Sequence, residues 1–458
     1  LNGREGKRTV LLVSSLSSFL TPIAASSFNI ALPTIGTELS MDAVSLSWAS
    51  LAYLLSAAIF LVPFGSLADI YGRKRVFLYG TSIFAATSLM LALFPSGTSI
   101  IILRAMQGVG AAMIFGTSVA ILVAVFSQRE RGLVLGINSA CVYVGLSIGP
   151  LYGGFLTQNL GWRSIFLGNI VLCLAIIVLT LLGLKGEWTE AAGEMFDVKG
   201  SAVYGVTLFS VMYGFSLLPS LSSLLPLGIG VVGAFAFIHL STRSKNPVLD
   251  IGLFKHNRAF AFSNAAALIN YGATYAVTFL MSLYLQYLRG LSPEDAGLIL
   301  ISTPIVQAIF SPITGRLSDR IEARKVAAVG MAVTSLSMLP LILIDESTSM
   351  LYIVSCLALL GFGLALFVSP NTNSIMGSVE RRLYGVAASM FGTMRLIGQM
   401  LSMGIALVIF AVLIGRVEIT PIVYPLLTGS VRTAFTVFLI LCIIGIFASL
   451  VKSGDIKR

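Results

Sequence analysis

Charge is what this chain has least of. Of its 458 residues only 10% are Asp, Glu, Lys or Arg, against roughly 25% in a soluble protein. That deficit excludes an ordinary water-clad fold of this length. Histidine is scarcer still, with His239 and His256 alone, so imidazole-based catalysis has almost nothing to work with. The four cysteines, Cys141, Cys173, Cys356 and Cys442, all lie inside apolar runs without paired spacing. They read as small buried fillers, not as disulfides or metal ligands. No glycine-rich phosphate loop ending in lysine occurs, which argues against direct ATP drive. No catalytic residue, cofactor or metal is expected.

What the chain does have is apolar sequence, 57% of it, in repeated runs of about the twenty residues that cross a bilayer. Fourteen spans are expected, over 10–32, 45–67, 76–94, 99–126, 132–157, 163–184, 200–218, 222–240, 259–288, 293–315, 326–344, 349–374, 384–414 and 430–451. The first, Val10–Leu32, follows Arg4, Lys7 and Arg8 and is too long for a signal-peptide core. An even count puts both termini on one side. The net charge of +10 could suggest nucleic acid, but the placement of the bases does not. Of 29 Lys and Arg, 23 fall at the termini or in alternate loops, four on the other side (Arg163, Arg289, Arg416, Arg432) and two within spans. Such asymmetry predicts a multi-pass protein of the cell membrane with cytoplasmic termini, its partner the lipid bilayer and not nucleic acid.

Between spans two and three stands Gly65-Ser-Leu-Ala-Asp69-Ile-Tyr-Gly72-Arg73-Lys74-Arg75. A carboxylate, two glycines and three bases in one gap predict a tight turn, with helix ends brought close by Gly65 and Gly72 and an internal ion pair from Asp69 to Arg73. A degraded copy, Gly315-Arg-Leu-Ser-Asp319-Arg-Ile-Glu-Ala-Arg324-Lys325, lies 250 residues further on. The repeat predicts an all-α polytopic membrane protein of two six-helix bundles, 1–184 and 259–458, with two inserted helices and their linkers over 185–258. The inserted pair is reached through an acidic stretch carrying Glu187, Glu190, Glu194 and Asp197.

Two enzyme-like patterns lie inside spans and are set aside. Gly228-Ile-Gly230-Val-Val-Gly233 has no preceding strand or following acid, and Gly145-Leu-Ser147-Ile-Gly149 has no histidine to serve it. Small-residue helix packing accounts for both. The second continues as Gly149-Pro150-Leu-Tyr-Gly153-Gly154, a close-packing and bendable helix suited to rocking one bundle on another. Arg104, in Leu103-Arg104-Ala-Met-Gln107-Gly108-Val-Gly110, and Arg395, in Thr393-Met-Arg395-Leu-Ile-Gly398-Gln399, are cations within spans. Each costs roughly 3 kcal/mol on insertion scales and belongs toward the bundle interior.

The turn at 65–75 resembles the signature loop between helices two and three of the major facilitator superfamily, with Asp69, Gly72, Arg73 and Lys74 on matching positions. The stretch around Arg104 is similar to that family's fourth-helix motif. Gly145, Gly149, Pro150, Gly153 and Gly154, followed by Gly161-Trp162-Arg163, are similar to the antiporter motif of its drug exporters. With Asn29-Ile-Ala-Leu-Pro33, Tyr284-Leu-Gln286 and Gly290-Leu-Ser-Pro293, the resemblance is to the fourteen-span drug:proton antiporters (the DHA2 type) and covers nearly the whole chain. It implies a monomeric exporter of small lipophilic compounds working by alternating access, driven by protons. Asp69 and Arg73 would lock the cytoplasmic side while the carrier faces outward, Asp69 engaging helix ends of the opposite half; Gly315 and Asp319 would echo them. Arg104, with Asp69, would help couple the proton. One departure stands out: where that group has a first-span aspartate, this chain has Ala24, and no Asp or Glu falls in a span interior. The alternative cargo is therefore an anionic or lipid-like metabolite, with the arginines as counter-charge. A sensor or assembly factor that moves nothing would carry a large soluble domain, and the sequence has none.

The pathway is expected to be lined by polar and aromatic residues on apolar helices: Asn29, Trp48, Tyr53, Asn138, Tyr143, Asn270, Tyr271, Tyr275, Gln307, Asn371, Asn373, Arg395 and Gln399. Aromatic faces could hold a lipophilic cation without a carboxylate. About half of these residues are expected only to bridge helices or to anchor at the interface.

Overall fold

The computed structural model describes residues 4–184, 186–243, 251–380 and 384–451. Among them, one isolated β-bridge apart, every regular element is a helix. Lys185, Lys245, Arg381, Arg382 and the bases from Lys452 onward, all part of the charge asymmetry, lie outside the described residues.

Six long helices come first: α1 (Arg4–Glu38), α2 (Ala43–Tyr71), α3 (Arg73–Leu93), α4 (Gly97–Val125), α5 (Gln128–Leu160) and α6 (Arg163–Gly183). Their starts are chemically marked. Asp42 Oδ1 accepts from the Val44 and Ser45 amides at 2.9 Å to open α2, and Ser96 with Ser99 forms a capping box at α4. Then follow α7 (Val198–Ser216) and α8 (Leu224–Arg243), a short α9 (Ile251–His256), and the second set. That set comprises α10 (Arg258–Thr274), α11 (Ala276–Leu283), α12 (Pro293–Leu300), α13 (Ser302–Arg320), α14 (Ala323–Leu341), α15 (Met350–Gly377), α16 (Tyr384–Leu413) and α17 (Tyr424–Leu450).

Twelve helical stretches among the described residues are long and apolar enough to cross a membrane. The other two expected spans are present as helices, α7 and α14, of 19 residues each. They are not among the twelve. At 1.5 Å per residue such a helix is about 28 Å long, close to the hydrocarbon thickness with nothing to spare.

Local structure differs from expectation in three places. The turn expected over 65–75 is a single residue: Gly65 to Tyr71 continue α2, and Gly72, with φ of +119°, is the break before α3. A Cβ at Gly65 would meet nothing within 4 Å, while one at Gly116 of α4 would come 3.6 Å from the Gly65 Cα. The ninth span is interrupted at Tyr275, because the Ala276 amide donates to Ser402 Oγ of α16 at 3.0 Å instead of continuing the ladder. The tenth is split into α12 and α13 at Ile301.

Packing repeats between the two sets. In the first, α1 lies against α5 and α6, α2 against α4, and α3 against α4 and α6; in the second, α10 lies against α16 and α17, α13 against α15, and α14 against α15 and α17. The sets meet through α5 with α12 and α13, and through α2 with α16. Helix α7 braces that second seam, touching both α2 and α16, with the Tyr204 hydroxyl donating to the Ala58 carbonyl at 3.1 Å. Helix α8 packs mainly on α7 and turns most of its surface outward.

The hydrogen bonds between the two sets gather at the end of the bundle away from the terminal residues. Ala43 N donates to Val417 O at 3.1 Å beside the Asp42–Glu418 bridge. Gln286 Nε2 donates to Ile30 O at 2.9 Å, the Tyr287 hydroxyl to Pro33 O at 3.0 Å, and Asn159 Nδ2 to Glu294 Oε2 at 3.3 Å. Among the described residues no side-chain hydrogen bond joins the sets at the terminus-bearing end.

Candidate functional site

Midway along the bundle a cavity of about 70 Å³ lies between the two sets. Six helices reach it, most with residues four apart, which fall on one helical face. Thr21 and Ala25 come from α1, Tyr53 and Ala57 from α2, Ala111 and Phe115 from α4, and Val142 and Leu146 from α5. From the second set come Tyr271 with Tyr275, and Arg395 with Gln399 of α16. Tyr143 completes the aromatic wall. The space is far below the ~300 Å³ that a drug-sized ligand fills. A ligand of that size does not fit the space in this arrangement.

Of the residues expected along the pathway, Tyr53, Tyr143, Tyr271, Tyr275, Arg395 and Gln399 line this cavity. The others do different work. Asn29 accepts from Ser50 Oγ at 2.8 Å, and Asn138 accepts from Ser18 Oγ at 2.7 Å. Asn371 donates to Ser263 O at 3.1 Å, Asn373 to Ser318 Oγ at 2.7 Å, and Asn270 to the Met331 sulfur at 3.0 Å. These are bonds between helices. Trp48 is half-buried against the apolar core, and Gln307 is half-buried on α13 outside the lining. Sequence reasoning missed Thr21, Pro22 and Phe115, which lack any local mark of function.

Arg104 is 1% exposed and lies one layer behind the wall. Its guanidinium sits 4.2 Å from the Phe28 ring centroid and 4.3 Å from that of Tyr53. It donates to Gln107 Oε1 at 2.6 Å, and Gln107 Nε2 donates on to Ser88 Oγ at 2.8 Å. The Arg104 Nε has no acceptor. Arg395 reaches across the seam to stand 4.8 Å from the Phe115 centroid, and its Nε also lacks an acceptor. Neither arginine has a carboxylate within 4 Å among the described residues.

At the terminus-bearing end, the acidic linker docks on the Gly72 turn. Arg73 is 5% exposed. Its Nε donates to Asp69 Oδ1 at 2.7 Å, and its two terminal nitrogens grip Glu190 at 2.9 and 2.8 Å. The backbone follows suit: Arg73 N donates to Trp188 O at 3.1 Å, and Ala191 N to Asp69 O at 3.0 Å. Glu187 accepts from Lys74 N at 2.7 Å. Lys74 Nζ also caps the Leu184 carbonyl. In this arrangement Asp69 thus meets its own half and the linker. The sets are joined at the far end, so the second set does not come to it.

The glycine-rich stretch of α5 faces two ways. A Cβ at Gly145 would come 2.7 Å from Phe19 O, one at Gly149 2.5 Å from Ser26 Cβ, and one at Gly153 2.6 Å from Ser27, all on α1. Gly154 instead abuts Pro293 O of α12, and a Cβ at Gly297 would come 2.5 Å from Pro150 O. The same helix therefore seals the first set and forms the seam with the second.

Known proteins agree with this architecture. The chain is 32% identical over 394 residues to the "Multidrug resistance protein Stp" of Mycobacterium tuberculosis, an alignment covering 85% of this chain and 73% of that protein. It is 28% identical over 392 residues to the "Riboflavin transporter RibZ" of Clostridioides difficile, with 85% of each covered. In structure it resembles a bacterial homolog of the human lysosomal transporter Spinster, solved inward-facing and unoccupied, with a TM-score of 0.67, 15% identity and 98% of both chains covered. That likeness establishes the fold. The sequence profile of the Major Facilitator Superfamily matches residues 14–403 and again 263–455. With twelve membrane-length helices in two sets of like packing, the chain belongs to the Major Facilitator Superfamily and is a membrane transporter, not an enzyme.

Proposed function

We propose that the chain is a fourteen-span exporter of lipophilic, drug-like molecules, exchanging them for protons by alternating access. The observation that carries the reading is a mid-membrane cavity walled by both sets, whose side chains, among the described residues, hydrogen-bond across the far end and not across the terminus-bearing end. A relative named for multidrug resistance supports the same reading. In this reading α7 and α14 also cross the bilayer, both termini lie in the cytoplasm at the plasma membrane, and the carrier works as a monomer. The bundles 1–184 and 259–458 then rock about the α5 and α2–α16 seams, with 185–258 braced alongside.

In mechanism, the far-end bonds of Gln286, Tyr287 and Ala43 hold the carrier open toward the terminus-bearing side. Cargo enters there, displaces the close contact of Arg395 with Phe115, and wedges the sets apart. As the far end opens, the Gly72 turn is brought to the second set, where Asp69 is available to cap a helix N-terminus. Arg104, with no carboxylate within 4 Å among the described residues and bonded through Gln107 to Ser88, is the buried charge whose field an incoming proton changes. The test is export of a fluorescent lipophilic dye from energised vesicles. Uptake into inverted vesicles that collapses with a protonophore is expected; uptake indifferent to the proton gradient would overturn the coupling.

A further inference from the structure

Building on the exporter reading, we infer that the central cavity selects planar aromatic molecules bearing an anionic edge, a carboxylate or an ionised phenol, over lipophilic cations. A cation in an apolar cavity is held by a carboxylate or by the open face of an aromatic ring. This cavity offers no carboxylate among its lining residues. Its aromatic faces are partly taken as well. Tyr53 already carries the Arg104 guanidinium at 4.3 Å, and Phe115 carries that of Arg395 at 4.8 Å. The chain has placed its own cations where a cationic ligand would go.

Those cations in turn lack what an anion supplies. Arg395 lines the cavity with its Nε unpaired, and Arg104 stands behind Tyr53 with its Nε unpaired and no acid within 4 Å among the described residues. Two uncompensated guanidinium groups in a low-dielectric interior attract a carboxylate and repel an ammonium over the same distances. The planar fork of Arg395 suits two carboxylate oxygens. Tyr143, Tyr271 and Tyr275 leave rings against which a flat ligand stacks, and Gln399, one turn beyond Arg395, adds an amide at the polar edge. Arg104 supplies field and Arg395 supplies contact.

Three probes of one ring system separate these claims: 2-naphthoate, 2-naphthamide and 2-naphthylmethylammonium, titrated calorimetrically into the purified full chain in detergent. The naphthoate is expected to bind about tenfold more tightly than the amide, the worth of one charge-assisted hydrogen bond, and the ammonium most weakly. Arg395→Gln should erase the preference for naphthoate over the amide, and Arg395→Lys should retain part of it. Equal or tighter binding of the ammonium in the wild type overturns the inference even if no variant folds. So does an undiminished naphthoate preference in Arg395→Gln. Dye transport in vesicles is scored separately: transport without charge preference refutes this inference alone, whereas charge preference without transport refutes the exporter reading.

Discussion

The Gly72 turn and its copy at 315–325 descend from one pattern and have come to different ends. In the first, a glycine at φ of +119° lets the chain reverse in one residue, and a Cβ there would lie 2.5 Å from Glu187 Cδ. The arginine that follows is buried and held by two carboxylates. In the second, Glu322 stands in the glycine's place at φ of −50°, the preceding helix stops one residue earlier, and Ala323 replaces the arginine. Glu322 then pairs locally with Arg324 at 2.6 Å, and Asp319 is exposed. The copy that kept glycine and arginine is the one that meets the linker. The difference teaches that the motif's chemistry lies in what its turn lets a third segment approach, not in its charges alone.

Arg73→Ala should break the comparison most severely. It strips the partly exposed Glu190 and Asp69 of ion pairs worth about 1 kcal/mol or less each after solvent screening, and frees the linker from the turn. Transport should fall at least about tenfold, and the linker should become cleavable at Glu187 and Glu190 in limited Glu-C proteolysis. Ala323→Arg in the copy should change neither. Gly72→Ala comes next, since it forces a left-handed backbone on alanine and crowds Glu187; a cost of about 1–3 kcal/mol is expected in thermal unfolding, against little change for Glu322→Gly.

The fold was largely legible, because hydropathy over twenty residues marks a membrane helix whatever its neighbours are. Tyr271, Tyr275, Arg395 and Gln399 were legible in the same local way, as polar or aromatic residues on apolar helices. What stayed hidden depends on contacts far apart in the chain. Arg73 and Glu190 are 117 residues apart, so the acidic linker read only as a linker. Asn138 and Asn371 looked like pathway residues because sequence cannot distinguish a side chain facing a cavity from one bonded to Ser18 or to the Ser263 carbonyl. The break at Tyr275 was invisible because its cause, Ser402, sits on another helix.

Smaller effects sharpen the comparison. Gly154→Val should clash with Pro293 and disfavour the far-end contact, slowing transport with little loss of abundance, whereas Gly136→Val, with open space around it, should be silent. The smallest effect is expected at the copy's ion pair. Hydrogen bonding from Arg324 holds the Glu322 carboxyl below its ordinary value of 4.5. Its contribution is thus present above that pH and lost as pH falls through the depressed value. Wild type and Glu322→Gln should therefore differ slightly in unfolding temperature at neutral pH and converge in acid.

The measurement that bears most directly on the account is proton release from acid-loaded proteoliposomes containing a pH dye, triggered by added aromatic substrate. The account predicts release with the wild-type chain and with Asp319→Asn, and none with Asp69→Asn at equal protein content. Release from Asp69→Asn at the wild-type rate, or its absence from the wild type, would contradict it.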